Sequence, residues 1–202
     1  MIRLKKGSRM LGLAESFKKG LSERSVLAGV VMRADLYIDG FGFSFPTVGG
    51  LDATQKVLEL YKSIGREDVN FICVSGCVIS WFNVVDLAEV YDEASIPVIS
   101  ITYEESPGLE KYFKEYFPDD WERRVEIYRR NGGRSRVKLK TGVNVFVRGF
   151  GLSLEEALTV LNSFTAHGKF PEPVRVARIL AHDLLKTFMR VKFSDKIIFR
   201  ER

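Results

Sequence analysis

Apolar positions divide this chain into a first part of short strands and a second part in which strands and helices alternate. Ser8–Ala14, Ser25–Val31 and Leu36–Phe45 read as three strands. In the third, Leu36, Ile38, Phe41, Phe43 and Phe45 are the apolar positions, and Gly40 and Gly42 mark a bulge or a close approach by other backbone. About four residues link the second strand to the third, too few for a crossover, so that pair is expected to be an antiparallel hairpin. The first link, Glu15 to Glu23, is longer but lacks helical periodicity, and it too reads as antiparallel.

Pro46-Thr47-Val48-Gly49-Gly50 interrupts the pattern. A helix is predicted from about Leu51 to Ile64, where Val57, Leu58, Tyr61 and Ile64 form one apolar stripe. The run Asn70-Phe71-Ile72-Cys73-Val74 reads as a buried strand, closed by Ser75-Gly76. A helix over Asn83–Ala94 and a strand over Pro97–Ile101 follow. Strands alternating with helices should be parallel and right-handed in crossover. Ligands gather outside the carboxyl ends of such strands, which makes Ser75 the first place to look for a site.

Further on, Pro107–Phe117 and Asp119–Arg130 read as helices separated by Pro118. Arg136–Lys140 and Val143–Val147 alternate across Thr141-Gly142, a hairpin pattern. Ser153 and Glu156 form an S-x-x-E capping box that opens a helix over Leu154–Phe164. Pro171-Glu172-Pro173 opens another, carrying Val174, Ala177, Leu180, Ala181, Leu184 and Leu185, and the tail from Arg190 reads as a strand or a loose end. With no repeat and no linker, residues 1–202 read as one domain.

Composition narrows the class. With 46% hydrophobic and 28% charged residues the chain is an ordinary globular one. No run approaches the roughly 18 apolar residues of a membrane helix. No apolar signal core follows the first charges, so a cytoplasmic protein is expected. Cys73 and Cys77, the only cysteines, read as small buried hydrophobes, and no zinc-ligand spacing is present. Charge says more. Arg123, Arg124, Arg129, Arg130, Arg134, Arg136, Lys138 and Lys140 face only Glu126 within 123–140, a local net of +7 in a chain whose total is +5. Concentrated positive charge suits a phosphate-binding surface, and a solvated helix face is the alternative. His167 and His182 have no partner at ligand spacing.

The motifs Gly12-Leu13-Ala14-Glu15-Ser16, Val48-Gly49-Gly50-Leu51-Asp52-Ala53-Thr54, Ser75-Gly76, Trp81-Phe82-Asn83-Val84-Val85-Asp86 and Pro171-Glu172-Pro173-Val174-Arg175 resemble a mainly archaeal family of uncharacterised proteins related to endonuclease V. The resemblance runs from about residue 8 to residue 186. It implies a ribonuclease-H-like α/β fold: a mixed sheet of three antiparallel strands followed by βαβ crossovers, helices on both faces, and a C-terminal hairpin plus helices. It also implies a Mg²⁺-dependent endonuclease acting on deaminated bases in nucleic acid, DNA ahead of RNA, as in DNA repair.

The chain departs from the family's pattern at two points. The usual first-strand motif reads Gly-Ile-Asp-Asp-Ser, and here Ala14 and Glu15 replace the aspartates; the usual Asp-Gly of the fourth strand is Ser75-Gly76. The resemblance therefore leaves Glu15, Asp52 and Ser75 as the catalytic set, with Glu15 and Asp52 as the metal ligands. On a regular strand Glu15 faces away from Ala14, and a bend at the strand end would be needed to turn it inward. Asp35, Asp39 and Asp86 are other nearby acids. Phe45-Pro46 falls where endonuclease V carries an aromatic and proline wedge, with core packing of Phe45 as the alternative. Trp81 and Phe82 either stack on a base or pack on the sheet. A degenerate metal site with weak or absent catalysis is expected. Non-catalytic nucleic-acid binding, or a small-molecule or protein-binding role on the same fold, are the alternatives.

Overall fold

The structure, a computed structural model, describes residues 4–198. Strands β1 (Arg9–Ser16), β2 (Val26–Arg33) and β3 (Ile38–Ser44) come first, then helix α1 (Ala53–Ile64) and strand β4 (Phe71–Ser75). A two-residue ladder of β5 (Val78–Ile79) and β6 (Asn83–Val84) precedes α2 (Leu87–Ala94) and β7 (Val98–Thr102). Next come α3 (Glu110–Tyr116), α4 (Trp121–Arg130), β8 (Ser135–Lys138), β9 (Asn144–Phe150), α5 (Leu154–Phe164) and α6 (Glu172–Ile198).

The seven-stranded sheet runs β3-β2-β1-β4-β7-β9-β8. The expected order holds: β1, β2 and β3 pair antiparallel, and β1 lies parallel to β4, which is parallel to β7. The C-terminal hairpin extends the sheet, with β9 antiparallel to β7. Strands β1, β2, β4 and β7 are buried on both faces, which is why they read as continuous apolar runs. One face packs Met10, Ala14, Cys73, Ile99 and Ile101 against α5 and α6. The other packs Leu11, Leu13, Ile72 and Val74 against α1, α2, α3 and α4.

Local signals explain several boundaries. Gly65 takes a left-handed conformation, φ 63°, and ends α1. Both halves of the Ser153–Glu156 capping box form. Both readings of the β3 glycines apply. The ladder slips beside Gly40, and a Cβ on Gly42 would meet Ile64 at 2.8 Å, so the glycine lets α1 sit close.

Three expectations are corrected. The helix expected over Asn83–Ala94 begins only at Leu87. Asn83 and Val84 form the short β6, and the Asp86 side chain accepts from the Ala88 and Glu89 amides as an N-cap. The Val84-Val85 pair imitates a helical stripe while packing as extended chain. From Arg190 to Ile198 the chain is no strand: α6 continues to Ile198, since no proline or glycine follows Pro173 to stop it, and residues 199–202 lie outside the described ones. Phe45 is not in the core. It is 40% exposed and lies 5.9 Å from the Phe188 ring.

Candidate functional site

Parity along β1 decides how the expected residues are distributed. Leu13 pairs with Val74 across β1 and β4, so Ala14 and Ser75 follow as the next pair at the carboxyl ends of adjacent parallel strands. Ala14 belongs to the face covered by α6, and Ser75, two residues after Cys73 and opposite Ile101, points the same way. Glu15 therefore faces the opposite layer. No bend turns it back, because β1 stays in register with β2 through Ser16. Glu15 and Ser75 lie on two faces of one sheet.

On its own face Glu15 meets a strained loop at Ser80. Ser80, Trp81 and Phe82 have φ of 46°, 54° and 67°, three successive non-glycine residues in the left-handed region. Long-range bonds hold them there. Ser80 Oγ shares a 2.5 Å hydrogen bond with Ser25 Oγ, the Gly49 amide donates to the Ser80 carbonyl at 2.7 Å, and Arg124 Nη1 donates to the Phe82 carbonyl at 2.9 Å. Glu15 Oε2 is buried with no hydrogen-bond partner. Burial pushes the Glu15 carboxyl up from the ordinary 4.5 to about 7, and the Ser80 backbone offsets only part of this.

Asp52 is the contrasting acid. Its carboxylate accepts from the Thr47 amide at 3.0 Å, Thr47 Oγ1 at 2.8 Å and Asn83 Nδ2 at 2.7 Å, with Arg24 Nη1 at 3.5 Å. Burial works against the charge, but the hydrogen bonds from Thr47 and Asn83 outweigh it and hold the carboxyl below the ordinary range. It ties the loop before α1 to the Asn83 strand.

The Ser75 side of the sheet carries a different chemistry. Ser75, Ile101, Thr102, Tyr103, Glu104, Lys169, Phe170 and Arg178 line an open cleft there. Lys169 and Arg178 escape a reading that looks for acids. The available signal was that Arg178 has no acid three or four residues away on its helix.

The basic segment divides on folding. Arg124 is corrected from an expected phosphate contact to a structural residue. It is 2% exposed, pairs with Asp120, donates to the carbonyls of Gly49, Gly50 and Phe82, and lies 3.8 Å from the Phe117 ring centroid. Arg134 donates to Thr102 Oγ1 and to the carbonyls of Glu104 and Ser106. Arg130 pairs with Asp86 at 2.5 Å, and Arg129 lies 3.8 Å from Glu110. Arg123 on α4, and Arg136 and Lys138 on β8, are exposed. Trp81 is half-buried, 5.2 Å from Phe117 and 6.0 Å from Tyr116, with Lys19 Nζ 4.6 Å from its ring centroid. It packs on these rings and carries a cation over its own.

Other acids stand elsewhere. Asp35 is paired with Arg33, and Asp39 with Arg9 at the start of β1. Among the described residues, no three of His, Cys, Asp and Glu gather as metal ligands. The donor set does not fit a bridged pair of Mg²⁺ ions. Glu15 and Asp52 are on the far face from Ser75, and the Ser75 cleft holds two cations beside the single Glu104.

Sheet order, crossovers and the position of the strand ends define an α/β protein of the ribonuclease-H-like class. A crystal structure of Ciona intestinalis endonuclease V bound to a 24mer DNA containing an inosine followed by a ribo-adenosine shares this fold, with TM-score 0.60 at 14% identity over 91% of this chain and 88% of that one. The chain belongs to the Endonuclease dU family, whose profile matches residues 6–185. A UPF0215 protein of Pyrobaculum calidifontis is 34% identical over 172 residues, 85% of this chain and 93% of that protein. A crystal structure of a protein of unknown function from Archaeoglobus fulgidus has TM-score 0.76 and 27% identity, covering 88% and 98% of the two chains.

Proposed function

We propose that this member of the Endonuclease dU family binds nucleic acid, DNA ahead of RNA, and cleaves it with Mg²⁺ weakly or not at all. The observation that carries the reading is the place of Ala14 and Ser75, each one residue beyond the last β1–β4 pair, Leu13 with Val74, at the carboxyl ends of adjacent parallel strands, with no carboxylate on either. Two bridged Mg²⁺ ions bring four positive charges, and at least two or three carboxylates are needed to hold them. Exposed Arg123, Arg129, Arg136 and Lys138 supply cations for a phosphate backbone, and Trp81 beside Lys19 supplies a ring for stacking.

The test is cleavage of strands containing deoxyuridine or inosine, with Mg²⁺ binding followed in parallel by calorimetry. The wild type should cut weakly or not at all. Ala14→Asp combined with Ser75→Asp should raise Mg²⁺ affinity at least tenfold, and either change alone should do much less, because metal ligands act as a unit. One observation favours a second reading, a centre rebuilt around Glu15: its buried, unpartnered oxygen. Efficient Mg²⁺-dependent cutting by the wild type, abolished by Glu15→Gln, would establish that reading and remove ours.

A further inference from the structure

The Ser75 cleft is basic and lined by unsatisfied groups. Its volume is about 310 Å³. The Tyr103 and Phe170 rings pack with their centroids 4.3 Å apart and their planes tilted by 59°, and form one wall. Both cations rest on that wall: Lys169 Nζ is 5.4 Å from the Tyr103 centroid, and the Arg178 guanidinium carbon is 4.4 Å from the Phe170 centroid. Glu172, the acid nearest to Lys169 in sequence, is taken by Arg175 at 2.6 Å. Among the described residues, neither Lys169 nor Arg178 has a carboxylate partner within ion-pair distance.

The Tyr103 hydroxyl sharpens the picture. It is buried without a hydrogen-bond partner. Ser75 is its neighbour, yet no hydrogen bond of acceptable geometry joins the two hydroxyls. A buried hydroxyl left unpaired loses its hydration with nothing in return, so such groups normally have a partner. Two hydroxyl donors and two unpaired cations bordering one cleft match the acceptor oxygens of a tetrahedral anion. Arg134, held on Thr102 Oγ1 at 3.2 Å, adds positive charge behind the same strand end. Among the lining residues Glu104 is the one opposing charge, and it is exposed at the rim.

We propose that the cleft bounded by Ser75, Tyr103, Lys169 and Arg178 binds a phosphate group directly, either a backbone phosphodiester or a free phosphate. Lys169 and Arg178 neutralise it, and the Tyr103 and Ser75 hydroxyls orient it. The phosphodiester form rests on the nucleic-acid reading above; the free-phosphate form does not.

The experiment has two arms on the full chain. In the first, a short fluorescein-labelled single-stranded deoxyoligonucleotide is titrated and followed by anisotropy. Lys169→Ala with Arg178→Ala should weaken binding tenfold or more and flatten the slope of log K against log salt by about 0.7 for each phosphate that the variant no longer engages. Tyr103→Phe should weaken it about three- to tenfold. The charge-keeping pair Lys169→Arg and Arg178→Lys should retain most of the affinity. In the second arm, inorganic phosphate is titrated while backbone amide resonances are recorded. Those of Ser75 and Tyr103 should shift in the wild type and stay still in the double alanine variant.

Two results separate the cleft from the wider function. Equal oligonucleotide binding by wild type and double alanine variant, with no phosphate-induced shifts, overturns the cleft and leaves the nucleic-acid reading standing. Phosphate-induced shifts at Ser75 and Tyr103 without any oligonucleotide binding overturn that reading and support the cleft as a small-anion site. Silence in both arms overturns both.

Discussion

At the scale of single residues, Glu15 carries the sharpest consequence. Below its unfolded value of 4.5 the carboxyl is protonated in the folded and unfolded chains alike. Between 4.5 and about 7 the unfolded chain releases the proton while the folded chain retains it, so stability falls as pH rises. Above about 7 the penalty is constant. Taken at full value the shift corresponds to about 3 kcal/mol. Glu15→Gln should therefore stabilise the protein near neutral and alkaline pH by up to about 3 kcal/mol and leave it almost unchanged below pH ~4.5. Urea unfolding of both proteins across that range reads this directly, and parallel stability curves would rule it out. Alternation along β1 made the face of Glu15 legible in the sequence. Its burial was not, because the roof over it is a loop from 65 residues further on, Ser80.

At the scale of elements, the sequence was most informative where one local rule acted alone. The Ser153–Glu156 box and the stripe of α1 needed no distant partner to be read. The start of α2 was misplaced because Asn83 serves tertiary bonds: its side chain accepts from the Ala53 amide at 2.9 Å and donates to the Thr47 carbonyl at 3.0 Å. Helix α6 depends on tertiary fit of the same kind. A Cβ on Gly12 would strike the backbone of Pro173 and Val174, so the missing side chain is what lets α6 dock on β1. Backbone cannot yield as a flexible side chain can. Gly12→Ala should cost about 1–3 kcal/mol, the range for overpacked sites. A loss within about 0.5 kcal/mol in denaturant midpoint analysis, the scatter of neutral surface changes, would show that α6 shifts freely.

For the whole molecule, connection lengths sufficed for the strand directions, because a short link excludes a crossover and a helical link demands one, while the addition of β9 antiparallel beside β7 had no such local signal. Charge was less readable. The +7 segment reads as one surface, yet folding turns Arg124 inward, anchors Arg134 on carbonyls, and parts the remainder between α4, β8 and the turn after β8 that carries Lys140. The strained turn at Ser80, Trp81 and Phe82 has a consequence in time. Each left-handed residue costs about 1–2 kcal/mol, and the two-residue β5–β6 ladder that brackets the turn offsets only part of this. Its anchors Ser25 and Arg124 lie 55 residues before Ser80 and 42 residues after Phe82. The turn is therefore fully anchored only once β2 has joined the sheet and α4 has docked, which makes its final path a late event in folding. Ser25→Ala should accelerate unfolding and leave refolding unchanged in stopped-flow measurements, the signature of interactions made after the rate-limiting barrier. Slower refolding would place the turn in the folding nucleus instead, and the chain would then begin its folding with its most strained residues.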